Sequence, residues 1–243
     1  MRFSLRFRPV PFAAALLVAL VGILLGNWQR DRAALKSELH ARQLARAGEA
    51  ALDLNAAGAI PPLSELEFRR VRVHGEFVAA WPVLLANRPM NGQSGFYLAM
   101  PFKIAGSDMH VLVLRGWLPR AAEYGQVPPF TTPAGPRVLE GRVVASSGRV
   151  LELGEGPRLA PGAPVQNLAP EALARASGLR LQPFVVQQTA PAAPGDTLAR
   201  DWPAPSAGID KHRGYAFQWY ALAALAILFY VTTGFRRGSR TNR

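Results

Sequence analysis

Two long apolar runs stand near the ends of the chain, and the pattern between them is of another kind. From Pro9 to Trp28 the sequence reads PVPFAAALLVALVGILLGNW, and from Gly214 to Phe235 it reads GYAFQWYALAALAILFYVTTGF; neither carries a charged side chain. Each run is long enough as a helix to cross about 30 Å of hydrocarbon. The first exceeds the apolar core of a signal peptide and has no clear small-x-small cleavage pattern before Trp28, so it reads as a retained anchor. The residues after it, Gln29–Ala47, lack Gly and Pro and are rich in Ala, Leu, Arg and Glu. They predict a helix running on beyond the apolar stretch, with Leu35, Leu39 and Leu44 available for one face. The segment Ala56–Leu63, with Gly58 and Pro61-Pro62, ends it.

From Phe68 the hydrophobic period changes to two. Val71, Val73, Phe77 and Ala79 alternate with Arg70, Arg72, His74, Glu76 and Val78, which predicts a half-buried strand over Phe68–Ala79. Further strands are predicted at Pro82–Ala86, Gly95–Ile104, Met109–Trp117, Arg137–Ala145 and Leu181–Gln188. Pro89-Met90-Asn91-Gly92 and Ala105-Gly106-Ser107-Asp108 carry turn chemistry, and such short links join antiparallel neighbours. A meander curled toward a small barrel is therefore expected. Pro170–Ser177 predicts a short helix with Pro at its start and Gly178 just past its end, and Ala190–Ile209 reads as a Pro/Gly/Ala-rich tether.

The expected class is an α+β membrane protein with two transmembrane helices flanking an antiparallel β-rich, barrel-like extracytoplasmic domain. Its segments are a cytoplasmic N-terminus (1–8), a first span (9–28), a periplasmic β-rich domain (29–211), a second span (212–235) and a cytoplasmic tail (236–243). Arginine placement sets this orientation. Arg2, Arg6 and Arg8 precede the first span and Arg236, Arg237, Arg240 and Arg243 follow the second, and short basic flanks stay in the cytoplasm. A multi-pass protein of the cell inner membrane follows, in contact with the lipid bilayer.

The formal charge of +12 changes little once it is divided. Of 28 basic side chains the seven flanking arginines leave 21 against 16 acidic ones, a dispersed surplus that reads as solvated surface and not as a nucleic-acid stripe. The chain has no cysteine, which excludes disulfides, thiolate metal sites and c-type haem attachment. Met1, Met90, Met100 and Met109 form no close group that could replace thiolates for copper.

Catalytic signatures are thin, and no catalytic residue is assigned. Ser94 lies in Gly92-Gln93-Ser94-Gly95, outside the G-x-S-x-G pattern, and Ser107, Asp108 and His110 crowd one hairpin where capping accounts for them. His40, His74 and His110 sit at polar or turn positions. His212 immediately precedes the second span, with Tyr215 and Trp219 three and seven residues on. An imidazole beside aromatic rings at the edge of a bilayer has the chemistry of a haem axial ligand, with Lys211 and Arg213 placed for propionates; interfacial anchoring accounts for the same residues. Gly22 and Gly26 form a G-x-x-x-G, and Ala216, Ala223 and Ala224 are small residues on the second span, a pattern suited to close packing of the two helices.

Several landmarks fall in one order: Gly26-Asn27-Trp28-Gln29 with Arg32 and Lys36; Phe68-Arg69-Arg70-Val71-Arg72-Val73-His74-Gly75-Glu76-Phe77; Asn87-Arg88 before Gly92 and Gly95-Phe96-Tyr97; Val113-Leu114-Arg115-Gly116-Trp117-Leu118-Pro119; Arg200-Asp201-Trp202-Pro203; and His212-Arg213-Gly214-Tyr215-Ala216-Phe217-Gln218-Trp219-Tyr220. This series resembles the Surfeit locus protein 1 family, the assembly factors of haem-copper cytochrome oxidases, over almost the whole chain. The resemblance implies a non-enzymatic role, assisting insertion of haem a into the oxidase catalytic subunit alongside other assembly factors. It also implies His212 as haem iron ligand, with Tyr215 and Trp219 completing a cofactor-binding site. The family often has asparagine close before that histidine, where this chain has Asp210-Lys211. Two other readings follow from the residues: a membrane-anchored oxidase scaffold that binds no haem, with Arg88, Arg115 and Trp117 as contacts, and a membrane-tethered envelope enzyme.

Overall fold

The computed structural model describes residues 3–5, 7–56, 60–121, 126, 128–151, 158–192, 195–203 and 208–237. The chain forms two compact units, one from Met1–Ala41 with Pro203–Arg243 and the other from Arg42–Trp202.

The first unit is built on two helices, α1 (Pro9–Ala47), whose last residues belong to the second unit, and α4 (Ile209–Gly234), joined at their outer ends by the paired strands β1 (Phe3–Leu5) and β10 (Phe235–Arg237). Both helices are long and apolar enough to cross a membrane. They pack antiparallel: Phe12 meets Tyr230, Gly22 meets Ala223 and Trp219, and Gly26 meets Tyr220. A Cβ on Gly26 would fall 2.5 Å from the Tyr220 ring, and one on Gly22 would fall 2.8 Å from the Trp219 carbonyl oxygen. The two glycines thus form the groove that lets the helices approach so closely. Leu16, Leu17, Leu20, Leu24, Leu225 and Leu228 remain exposed around the pair, as expected of helices whose outer faces meet lipid.

The second unit contains a closed barrel. Its elements are β2 (Leu52–Asp53), α2 (Leu63–Leu66), β3 (Arg70–Phe77), β4 (Val83–Leu85), β5 (Gly95–Ile104), β6 (Met109–Pro119), β7 (Arg137–Val144), β8 (Pro164–Val165), α3 (Pro170–Ser177) and β9 (Arg180–Gln188). Strand β3 pairs with β7, β7 with β9, β9 with β6, β6 with β5, and β5 with β3 again, which closes the ring. Strands β4 and β8 extend one side of β5, and β2 lies along β3.

All five barrel strands send alternate residues into one cluster: Val71, Val73, Phe102, Ile104, Val111, Val113, Leu139, Val143, Phe184 and Val186, none more than 3% exposed. So small a barrel cannot hold a side chain at every inward position. Gly75 and Gly141 relieve the crowding, since a Cβ there would fall 1.9 Å from the Lys103 carbonyl oxygen and 2.5 Å from Val186. On the outer face, α3 covers β6 and β9 through Leu173, Leu112, Leu114 and Val185.

The sheet differs from the expected antiparallel meander. Strand β7 lies beside β3, and β9 runs parallel to β6. A parallel pair needs a long crossover, and the chain supplies one through β7, β8 and α3. The short edge pairs β2–β3 and β4–β8 are parallel as well. The expected tether at Ala190–Ile209 also differs where it is described. Residues 195–203 lie along β6: Trp117 and Ala199 exchange both backbone hydrogen bonds, at 2.7 and 3.0 Å, and the Trp202 indole donates to the Gln188 carbonyl at 2.8 Å. The remainder of that stretch, 193–194 and 204–207, lies outside the described residues.

Candidate functional site

His212 sits in the first turn of α4, where its backbone N–H reaches the Gly208 carbonyl at 3.1 Å. Its ring Nδ1 donates to the Gln29 Oε1 on α1 at 2.7 Å. An amide oxygen only accepts, so this bond puts the imidazole proton on Nδ1 and leaves a lone pair on Nε2. Nε2 has no hydrogen-bond partner among the described residues. Two helical turns further along α4, the Tyr220 hydroxyl donates to the Asn27 Oδ1 at 2.7 Å. The polar residues of Gly26-Asn27-Trp28-Gln29 are thereby used in pairs across the two helices, one pair at His212 and one at Tyr220.

The three residues expected at the site do not share one environment. His212 and Trp219 are partly buried, while Tyr215 is 51% exposed. Position 212 lies on the side of α4 that carries Ala216, Tyr220 and Ala223 toward α1, and Tyr215 is turned away from that side. Arg213 forms an exposed ion pair with Asp210 at 3.6 Å. An imidazole with one nitrogen fixed by an amide and the other free is the donor arrangement of an axial haem ligand, so these residues fit the group.

The other singled-out residues are core or scaffold. Trp117 is 7% exposed in the cluster beneath α3, and its indole donates to the Arg88 carbonyl at 2.6 Å. Arg88 stacks over Tyr97 and donates to the carbonyls of Gly148 and Gln166 at 3.0 and 2.9 Å, tying two loops to the sheet. Burial pushes its pKa down, with only weak compensation from Tyr97. These residues are buried and so present no surface for a partner. Ser94 lies just before β5, whereas His110 lies at the other end of the β5–β6 ladder, bonded to the Arg180 carbonyl at 3.2 Å. His74 is on the outer face of β3, 4.0 Å from Asp53. The hydrolytic constellation these residues would need is not assembled, and no group of three metal-ligating side chains occurs among the described residues.

Comparison with known proteins places this arrangement in a lineage. The SURF1 family model matches residues 16–224, which includes both helices and the whole barrel. The chain belongs to the SURF1 family. A SURF1-like protein of Monosiga brevicollis is 27% identical over 94% of this chain and 89% of its own length. Another SURF1-like protein, from Caenorhabditis briggsae, is 28% identical over 54% of this chain and 47% of its own. The SURF1 match takes in Gln29 and His212 together, the two residues that meet between the helices.

Gln29 and Asn27 were legible only as landmarks of the resemblance. Their pairing across the helices had one available signal, two amides at the end of an otherwise apolar run, where an unpartnered polar group is costly.

Proposed function

We propose that this protein is a membrane-anchored assembly factor for a haem-copper terminal oxidase and that it holds haem a for insertion into the catalytic subunit. The SURF1 family is linked to cytochrome oxidase assembly and is membrane-associated, and this chain belongs to it. The observation that carries the haem reading is the bond from His212 Nδ1 to Gln29, which leaves Nε2 free on a helix start. When bound, haem supplies an iron centre that takes a nitrogen ligand. His212 would provide that ligand, Trp219 and the exposed Tyr215 would offer flanking rings, and Lys211 would lie near the propionates. No covalent bond is made or broken in this role.

In the same reading α1 and α4 cross the inner membrane, both termini are cytoplasmic, and the barrel unit lies in the periplasm. The arginine flanks support that orientation. Partners are the oxidase catalytic subunit, other assembly factors and lipid. The test is purification from cells that make haem a, followed by visible spectra of the wild type and His212→Ala. Loss of the haem bands in the variant is expected; equal haem content in the two would remove His212 as ligand. Oxidase subunits co-purifying with haem-free wild-type protein would support the scaffold reading instead.

A further inference from the structure

Where Leu114 pairs with Ala99 and Gly116 pairs with Leu98, β6 holds one residue more than β5, and that residue is Arg115. A bulge of this kind re-aims a side chain. Here it buries a guanidinium at the end of the barrel where β3 finishes and β7 begins. Arg115 is 1% exposed; its Cζ lies 4.7 Å from the centre of the Phe77 ring, and its Nη1 reaches only Met100 Sδ at 3.4 Å and Thr132 Oγ1 at 3.3 Å. A thioether and a hydroxyl are weak partners for a buried cation. The Nε of Arg115 has no partner at all.

The same end of the barrel holds a second guanidinium. Arg200, its side chain 7% exposed, donates from Nε to the Arg115 carbonyl at 2.9 Å and pairs through Nη2 with Asp196, while its Nη1 is unpartnered. Arg137, at the start of β7, is half-buried and also acts electrostatically on Arg115. Asp196 is the one carboxylate acting on Arg115, already engaged by Arg200. Two buried guanidiniums thus share a single carboxylate, which leaves one buried positive charge without a counter-ion. Burial with the repulsion of Arg200 and Arg137 pushes the Arg115 pKa down to about 10 against the opposing pull of Asp196. Such an arrangement is costly unless something anionic completes it.

We infer that this end of the barrel is a binding site for an organic carboxylate, whose oxygens take the free N–H groups of Arg115 Nε and Arg200 Nη1 and whose apolar body lies against Phe77 and Met100. The charge deficit is one, which a monocarboxylate neutralises and a phosphate dianion overshoots. The apolar walls select an amphiphilic acid over a small hydrophilic one. The cover over the site is loop and not barrel: Thr132 from the β6–β7 connection and the segment 195–203. A ligand therefore enters by parting loops while the ring of strands stays closed. This site is independent of His212.

The experiment follows thermal unfolding of the full chain in detergent as sodium butyrate is added, with sodium chloride and sodium phosphate at matched ionic strength. Butyrate is expected to raise Tm saturably by several degrees beyond chloride, and Arg115→Met, whose side chain still fills the space beside Phe77, is expected to lose that shift. Arg137→Gln, altered at the rim, is expected to move the butyrate midpoint several-fold upward, which tests the site even should the first variant fold poorly. An unsaturable response equal to that of chloride, an unchanged shift in Arg115→Met or, should that variant not fold, an unchanged midpoint in Arg137→Gln would overturn the site. A larger response to phosphate than to butyrate would overturn its assignment to carboxylates.

Discussion

The Tyr220 hydroxyl donates to the Asn27 side-chain oxygen at 2.7 Å, across the seam between two antiparallel helices that are otherwise apolar at this level. In hydrocarbon a polar group without a partner is costly, so this bond fixes the register in which Gly22 and Gly26 face Ala223 and Tyr220. Tyr220→Phe is expected to weaken the pair by about 0.5–1.5 kcal/mol, the range of a single net hydrogen bond. Gly26→Leu is expected to do far more, because the Tyr220 ring already occupies the space. Cysteine cross-linking between the helices in detergent, with each variant compared against wild type, measures both.

Gln29→Leu keeps an apolar residue of similar size on α1 but removes the acceptor for His212 Nδ1. Loss of such an outer partner commonly costs 10–100-fold in metal affinity. Haem occupancy after purification is expected to fall by about tenfold, with Gln29→Glu retaining it, because a carboxylate can accept the same proton. Nitrogen NMR of labelled histidine in haem-free protein supplies an independent reading: the Nδ1-protonated form should dominate in wild type and lose its dominance in Gln29→Leu.

Gly141→Val would place a branched side chain against Val186 inside the barrel, and Phe102→Ala would empty its middle. Both are expected to destabilise the second unit, the latter by about 3–5 kcal/mol. Urea denaturation followed by tryptophan fluorescence should report it, since Trp117 and Trp202 both lie in that unit.

The lowered pKa of Arg115 carries a sign. Its ordinary value is 12.5 and in the fold it is about 10, so between these pH values the unfolded chain binds the extra proton. Stability attributable to this residue therefore rises as pH climbs through that window and is lost as pH falls back through about 10. Denaturation midpoints of wild type and Arg115→Met, compared as pH is raised, are expected to shift progressively in favour of wild type. A constant difference would mean that Arg115 is not desolvated.

A reporter fused after Arg243 is expected to be active only if it is a cytoplasmic enzyme, with a periplasm-dependent reporter silent at the same junction. The reverse result would invert the proposed orientation.

Local pattern carried much of the fold into view. Six predicted strands and the helix at Pro170–Ser177 occur within two or three residues of their expected positions, because alternation at Val71, Val73 and Phe77 and the Pro170/Gly178 punctuation are local signals. Strand order was not legible. That β9 would lie parallel to β6 depends on where a long excursion returns, and nothing in Arg180–Gln188 encodes the direction of its neighbour. The packed segment at Ala199 was hidden for a related reason: Pro, Gly and Ala dominate its composition, while its attachment comes from backbone groups at Trp117 and from the side chains of Arg200 and Trp202. His212 was visible from its place beside an apolar run, but its partner lies 183 residues away in sequence. Arg115 looked like a strand-end residue because a bulge leaves no mark in the hydrophobic pattern.

The position of β9 also bears on how the protein is made. The last stave of the ring emerges from the ribosome only after the other four have been synthesised, with the excursion through α3 between them. Until Arg180–Gln188 arrives, β6 and β7 each expose an open edge, so the nascent domain has no stable halfway form. Chains truncated anywhere before Gln188 should therefore be lost to proteolysis as whole molecules instead of persisting as partly working fragments.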